Sequence, residues 1–288
     1  MSDATVTDAL RSLAPTAETA EQAYLAIFSD TAELLLNRTT LYVARRPHRF
    51  TELELYWSGL QHLDPFTHGD PMQQQLGSWY FHRSGGRYRG GTYKGLDLAF
   101  GDGGAFGGIL IRGLERLEPS PSPSLIDGPC MVVDHILALA ASPSIEELVR
   151  RGAVAFESRD RRSPLHVELD PGPGRGQAIY ATPRIGLTLK KGCTEARQRY
   201  LARPYRFLSE PARIRKGKPH LVTALHQQGR SPAEIAALTG TRRSVLEGYL
   251  AAFEAGRARP IAELDGDLST DELCQLLGAC AAAGGLPG

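Results

Sequence analysis

The sequence predicts an α+β protein that ends in a small all-α region, and three observations carry that prediction. The first 38 residues combine helix formers with an apolar stripe in "TAETAEQAYLAIFSDTAELLLN". From about residue 40 to 118, short apolar stretches alternate in period two and are punctuated by glycine, as strands joined by tight turns are. Beyond residue 218 the chain becomes alanine-rich and helical, without strand character. The expected organisation is an N-terminal helical segment (1–38), a sheet-containing domain (39–218) and a helical domain (219–288).

The elements follow in order. Thr16 just after Pro15, with Glu18 in the first turn, predicts the start of the first helix. Strands are expected at "TLYVARR", "FTELELYW", "GSWYFHR", "YKGLDLAFG" and "GGILIRGLERL", and "LEPSPSPSLIDGP" reads as a loop. "MVVDHILALA" and "SIEELVRRG" predict helices, the second opened by a Ser144–Glu147 capping box. "AVAFE", "LHVELD" and "QAIYATPRIGLTL" return to strand character. In the tail, Ser231 caps, Pro232 takes the first helical position and Glu234 completes a capping box. Ile235 and Leu238 face inward, Gly240 turns, and Thr241 caps a second helix with Val245 and Leu246 inward. That spacing is a helix-turn-helix presenting Arg242, Arg243 and Ser244 to DNA, or else a plain helical hairpin for packing or dimerisation.

Bulk properties narrow the function classes. A hydrophobic fraction of 42% with 23% charged residues describes a soluble globular chain. No apolar run approaches the roughly 18 residues of a membrane span, and "MSDATVTDAL" is unlike a signal peptide. Four scattered cysteines without a CxxC pair read as reduced thiols, which suits a cytoplasmic, nucleoid-associated protein that needs no cofactor. The net charge is only +1, yet its distribution is uneven. From Lys190 to Lys218 ten Lys and Arg stand against Glu195 and Glu210, and from Arg83 to Lys94 there are four basic residues and no acid. Such runs are either solvated surface or a face able to displace counterions from a phosphate backbone.

The chemistry concentrates in three stretches. In "RFTELELYW", period two puts Phe50, Glu52, Glu54 and Tyr56 on one side, either the wet face of an edge strand or a pocket floor with a base beside an aromatic. "WSGLQHLDPFTHGDP" holds His62, Asp64, His68 and Asp70; a Pro/Gly loop on a pocket wall fits better than a metal site. "HRSGGRYRGGTYKGLDLAFG" interleaves Tyr88 and Tyr93 with Arg83, Arg87, Arg89 and Lys94, which suits phosphate contacts plus a wedge or stacking platform. Asp97 and Arg112 are lone polar residues within apolar strands. They either face solvent or share a polar pocket with Glu52 and Glu54, with Arg112–Glu54 the expected pair.

Taken in order, these stretches resemble the alkyladenine (3-methyladenine) DNA glycosylases. "TELELY" is similar to that family's "VETEAY" strand, and His68 follows in "DPFTH". "GSWYFH" is similar to "GTLYVY", "GGTYKGLD" to "YGMYxxxN" and "ILIRGLERLEP" to "VLLRALEPLEG". "GPCMV", "PRIG" and "RPYRFLSEP" complete the order, so the resemblance spans roughly residues 30–218. It implies a curved antiparallel sheet with flanking helices, extrusion of a nucleotide from double-stranded DNA, and hydrolysis of its N-glycosidic bond. It implies Glu54 as the carboxylate that deprotonates the attacking water, Arg112 as its neighbour, and Tyr56 and His68 as pocket walls. A guanidinium there would help keep the carboxylate ionised. Arg203 and Arg206 fall in a matching basic motif and are expected to contact DNA.

The departures concern the substrate. A wall tyrosine of the family aligns with His82, its pocket asparagine with Asp97, and the loop after the histidine reads "HGDPMQQQ". No residue cleanly matches the duplex-wedging tyrosine; Tyr88 is nearest. A more polar pocket points to a bulky modified base, such as glucosylated hydroxymethylcytosine of phage DNA removed in defence. Repair of alkylated or deaminated purines, or a non-catalytic DNA-binding regulator, are the alternatives. No lysine occupies the pocket motifs, so no Schiff-base lyase step is expected. Two copies could also pair through the C-terminal helices.

Overall fold

A computed structural model describes residues 5–16, 18–59, 61–118, 124–157 and 163–284. The chain forms an α+β structure of two compact units: residues 1–63 with 67–179, and residues 64–66 with 180–288. The expected boundary at residue 218 falls inside the second unit.

In the first unit, helices α1 (Val6–Leu13) and α2 (Tyr24–Arg38) precede strands β1 (Thr39–Val43), β2 (Arg46–Gly59) and β3 (His62–Leu63). Then come β4 (Trp79–Phe81), β5 (Arg83–Ser84), β6 (Arg87–Tyr88), β7 (Leu96–Ala99), β8 (Phe106–Arg116) and β9 (Leu125–Asp127). Helices α3 (Pro129–Leu139) and α4 (Ile145–Arg150) and strand β10 (Leu165–Leu169) complete it. The sheet is antiparallel in the order β10-β1-β2-β8-β7-β4, with β3 added to β2 and β9 to β8, while β5 and β6 pair as a separate hairpin. The long β2 lies inside the sheet, so "FTELELYW" is not an edge strand; Phe50 through Leu55 are buried on both faces. Helix α2 packs on β2 and α3 on β8 through Val132, Val133 and Ile136.

Several local expectations change. The first helix begins at Val6, closed by a Thr5–Asp8 capping box, and α2 starts only at Tyr24, after a 3₁₀ turn at Glu21–Ala23. Thr16 instead donates its N–H to Thr19 Oγ1 in a local turn. "TLYVARR" is a strand only to Val43, because Ala44 and Arg45 adopt left-handed φ values of 47° and 68° and close the β1–β2 hairpin. "AVAFE" is no strand; Ala155 forms an isolated bridge to Ser78. Ser144 accepts from the Glu147 N–H, one half of the expected box. Of the loop "LEPSPSPSLIDGP", residues 119–123 lie outside the described residues.

The second unit contains β11 (Tyr180–Thr182), α5 (Glu195–Leu201), β12 (Arg206–Leu208), α6 (Lys218–Gln227), α7 (Pro232–Thr239), α8 (Arg243–Gly256) and α9 (Thr270–Ala282). Strand β11 is short because Pro183 and the left-handed Gly186 end it. Helices α6 to α8 join β12 through Leu208, Leu221, Val222, Leu225, Ile235 and Leu246, so these strands belong with the tail helices. Ser231 and Glu234 form the expected box and Gly240 turns at φ 65°. Thr241, however, bonds Thr239, and α8 begins at Arg243 with Arg242 as its N-cap residue and no side-chain cap. Helices α8 and α9 cross closely, since a Cβ on Gly278 would stand 1.9 Å from the Phe253 carbonyl oxygen.

Candidate active site

Strand pairing collects the polar residues of the first unit on one face. Directly paired antiparallel residues point the same way. The pairings Tyr80↔Asp97, Asp97↔Leu110 and Leu110↔Glu54 therefore form one row across β4, β7, β8 and β2. The next row is Ala99–Gly108–Tyr56. Glu54 and Asp97 stand two strand spacings apart, roughly 10 Å, with Leu110 between them.

On the β2 side, Glu52, Glu54 and Arg112 are buried at 2%, 0% and 6% exposure. The pairing of β2 with β8 is irregular on either side of Glu52, skipping Thr51 on one strand and Arg112 on the other. Arg112 Nε consequently donates to Glu52 Oε1 at 2.7 Å, while its Nη1 lies 3.4 Å from Glu54 Oε2. The expected Arg112–Glu54 pair is thus shared, and Glu52 holds the shorter bond. Tyr56 OH donates to Glu54 Oε2 at 2.9 Å. Burial opposes the charge on Arg112, but Glu54 and Glu52 outweigh it and raise its pKa further above the usual arginine value. Two carboxylates surround one permanent cation, away from solvent.

On the β7 side, His82 Nε2 lies 2.7 Å from Asp97 Oδ1, and Gln73 Nε2 donates to Asp97 Oδ2 at 3.4 Å. Gln73 had no signal in the sequence; the 3₁₀ turn Pro71–Gln74, capped by Asp70, places it. Two glycines make the arrangement fit. A Cβ on Gly108 would stand 2.5 Å from Asp97 Oδ2, and one on Gly95 would stand 2.4 Å from His82 Nδ1. The His68 ring meets that of His82 at 4.3 Å, edge to face, and its Nδ1 lies 3.2 Å from Tyr80 OH. Tyr80 went unpredicted, although period two in "GSWYFH" sets it beside His82. Burial, then Asp70 and Asp97, push the Tyr80 hydroxyl up to about 12, so it remains protonated. His68 keeps an exposed edge, yet lost hydration and then His82 lower its pKa to about 4, leaving it neutral at physiological pH.

The other expected residues lie elsewhere. Asp64 forms a buried ion pair with Arg184 at 2.5 Å in the second unit, and His62 stacks on Tyr24 at 4.2 Å in the first. Among the described residues, no group of three or more His, Cys, Asp or Glu is placed to hold a metal ion. Arg87 is exposed, Arg89 half-buried, and Lys94 is paired with Asp134. Tyr88 is half-buried with its ring 6.3 Å from Phe81, whereas Tyr93 is 75% exposed. In the second unit Arg206 is fully buried and donates to Thr182 Oγ1 and the Lys216 carbonyl, so it is a structural residue and not a surface contact for DNA. Arg203 is half-buried over Tyr200; Arg242 and Arg243 are exposed, the latter paired with Glu247 at 2.8 Å. Among the described residues, no helix is long and apolar enough to cross a membrane.

No family model matches the chain. It is 30% identical over 208 residues to the protein named "Uncharacterized protein L759" of Acanthamoeba polyphaga mimivirus, covering 67% of this chain and 91% of that protein. The chain therefore belongs to the same family as this mimivirus protein.

Proposed function

We propose that this protein is a monofunctional DNA glycosylase. It takes a modified base flipped out of double-stranded DNA and hydrolyses the N-glycosidic bond with a water activated by Glu54, leaving an abasic site. The observation that carries the reading is the buried Glu54. Tyr56 and Arg112 orient it, and it shares one sheet face with Tyr80 and Asp97, which bond or pack against His68 and His82, with Leu110 between Glu54 and Asp97. Glu54 Oε2 accepts from both neighbours, so its carboxylate is held in one orientation, as a water-activating base requires. The order of motifs shared with the alkyladenine DNA glycosylases supports the same roles and a glycosylase-like sheet.

The His68–Tyr80–His82–Asp97 group favours a polar modified base, such as glucosylated hydroxymethylcytosine in phage DNA, over a flat alkylated purine, because its hydrogen-bonding rings suit a substrate that exchanges hydrogen bonds. The exposed Tyr93 is better placed than the half-buried Tyr88 to enter the duplex. Arg87, Arg242 and Arg243 would add phosphate contacts.

Mass spectrometry of the bases released from glucosylated phage DNA, unmodified DNA and methylated DNA tests the reading. Wild-type protein is expected to release the phage base. Glu54→Gln should release none while binding the same DNA. Release by Glu54→Gln at the wild-type rate would show that Glu54 is not the base.

A further inference from the structure

Asp97 is 2% exposed, and its two hydrogen-bond contacts are unequal: His82 Nε2 at 2.7 Å and the neutral Gln73 amide at 3.4 Å. A buried carboxylate needs a cation or a proton close by. The Asp97–His82 bond can supply either, because the imidazole can hold the proton that the carboxylate would otherwise require. Among the described residues, the other charged and titratable groups around His82 include His68, Tyr80, Asp70, Arg83 and Arg89. His68 and Tyr80 stay neutral, and Asp70 is bound to Arg83 at 2.5 Å. The glycines that admit this dyad, Gly95 and Gly108, leave no room for a side chain between it and the sheet.

We infer that His82, oriented by Asp97, is the general acid that protonates the departing base, and that the site is therefore built for neutral bases and not for cationic alkylpurines. This rests on the glycosylase reading above. Water attacks the sugar C1′ and gives a proton to Glu54. The electron pair of the C1′–N bond passes to the base, which takes the proton from Nδ1 of the His82 imidazolium. His82 is left neutral, with Nε2–H still on Asp97. A neutral base leaves poorly as an anion and gains from the proton. A base already cationic has no need of it and is repelled by the imidazolium.

The test combines kinetics with spectroscopy on the full chain. Single-turnover release is measured from pH 6 to 9 with phage DNA containing glucosyl-hydroxymethylcytosine, and with DNA treated with dimethyl sulfate, which carries cationic 7-methylguanine and 3-methyladenine. Wild-type release of the neutral base should fall on the alkaline side. Asp97→Asn should move that fall to lower pH, and His82→Gln should remove it, each lowering the neutral-pH rate by about 100-fold or more. Release from dimethyl sulfate-treated DNA should be no greater in wild type than in either variant. In the ¹⁵N spectrum of histidine-labelled protein, Asp97→Asn should shift the His82 Nε2 resonance, which reports the bond between the two side chains.

A His82 Nε2 resonance that does not respond to Asp97→Asn, or pH profiles that coincide in all three proteins, would overturn the proposal. Release that depends on Glu54 but is indifferent to His82 and Asp97 overturns the dyad alone. Release that persists in Glu54→Gln, or no release from either DNA, overturns the glycosylase reading and the acid role with it.

Discussion

Arg112 sets the character of the β2 side of the site. It is a permanent cation bonded to Glu52 and Glu54, and all three ionic groups are buried. Removing one partner of such a group strands the others without solvent. Arg112→Met should therefore cost about 3–5 kcal/mol of stability, read as a lower urea midpoint. Denaturation at the wild-type midpoint would mean that water or a proton already neutralises the carboxylates. Period two was enough to place Glu52, Glu54 and Tyr56 on one face. It could not show that Glu52 takes the shorter bond to Arg112, because that follows from paired irregularities on two strands far apart in sequence. Likewise His82 and Asp97 were each legible as polar residues among apolar ones, but their bond depends on the pairing of β4 with β7.

At the scale of elements, the β1–β2 hairpin is the least visible feature in the sequence. "VARRP" carries no glycine or asparagine, yet Ala44 and Arg45 both take left-handed φ. The right-handed twist of the strands demands such a turn, and an ordinary L-residue held there costs roughly 1–2 kcal/mol. Replacing the pair by Asn-Gly should recover about 1 kcal/mol and raise the Tm, while a fall in Tm would mean the native side chains hold the turn by other contacts. The helices of the second unit were easier to read. Their start signals lie within four residues of chain, as in "SPAE", where hydroxyl, proline and glutamate each satisfy a local requirement. Thr241 is not the cap because α8 starts one residue later than expected, which puts Arg242 in the N-cap position, while the Thr241 hydroxyl accepts from Thr239.

For the molecule as a whole, pH dependence follows from its buried histidines. His48 is fully buried, and its Nε2 lies 2.9 Å from His135 Nε2. Burial lowers the His48 pKa, and burial followed by His48 lowers that of His135 to about 4. An unfolded histidine titrates near 6.5, so between about pH 6.5 and 4 the unfolded chain binds more protons than the folded one. Stability is thus fully present above pH 6.5 and is lost as pH falls toward 4. His135→Gln should lessen the loss between pH 7 and pH 5 by about 1 kcal/mol after allowing for solvent screening, as guanidinium denaturation at the two pH values would show; an unchanged loss would assign the effect to other groups. The sequence by itself determined the α+β class, the strands that carry the site and the face on which Glu52, Glu54 and Tyr56 lie, because period two and capping act over a few residues. The tertiary structure alone decided that β2 is internal, that the chain divides near residue 180, that Arg206 is buried, and that His82 and Asp97 form one dyad. Each of these depends on contacts between segments far apart in the chain, which no local pattern encodes.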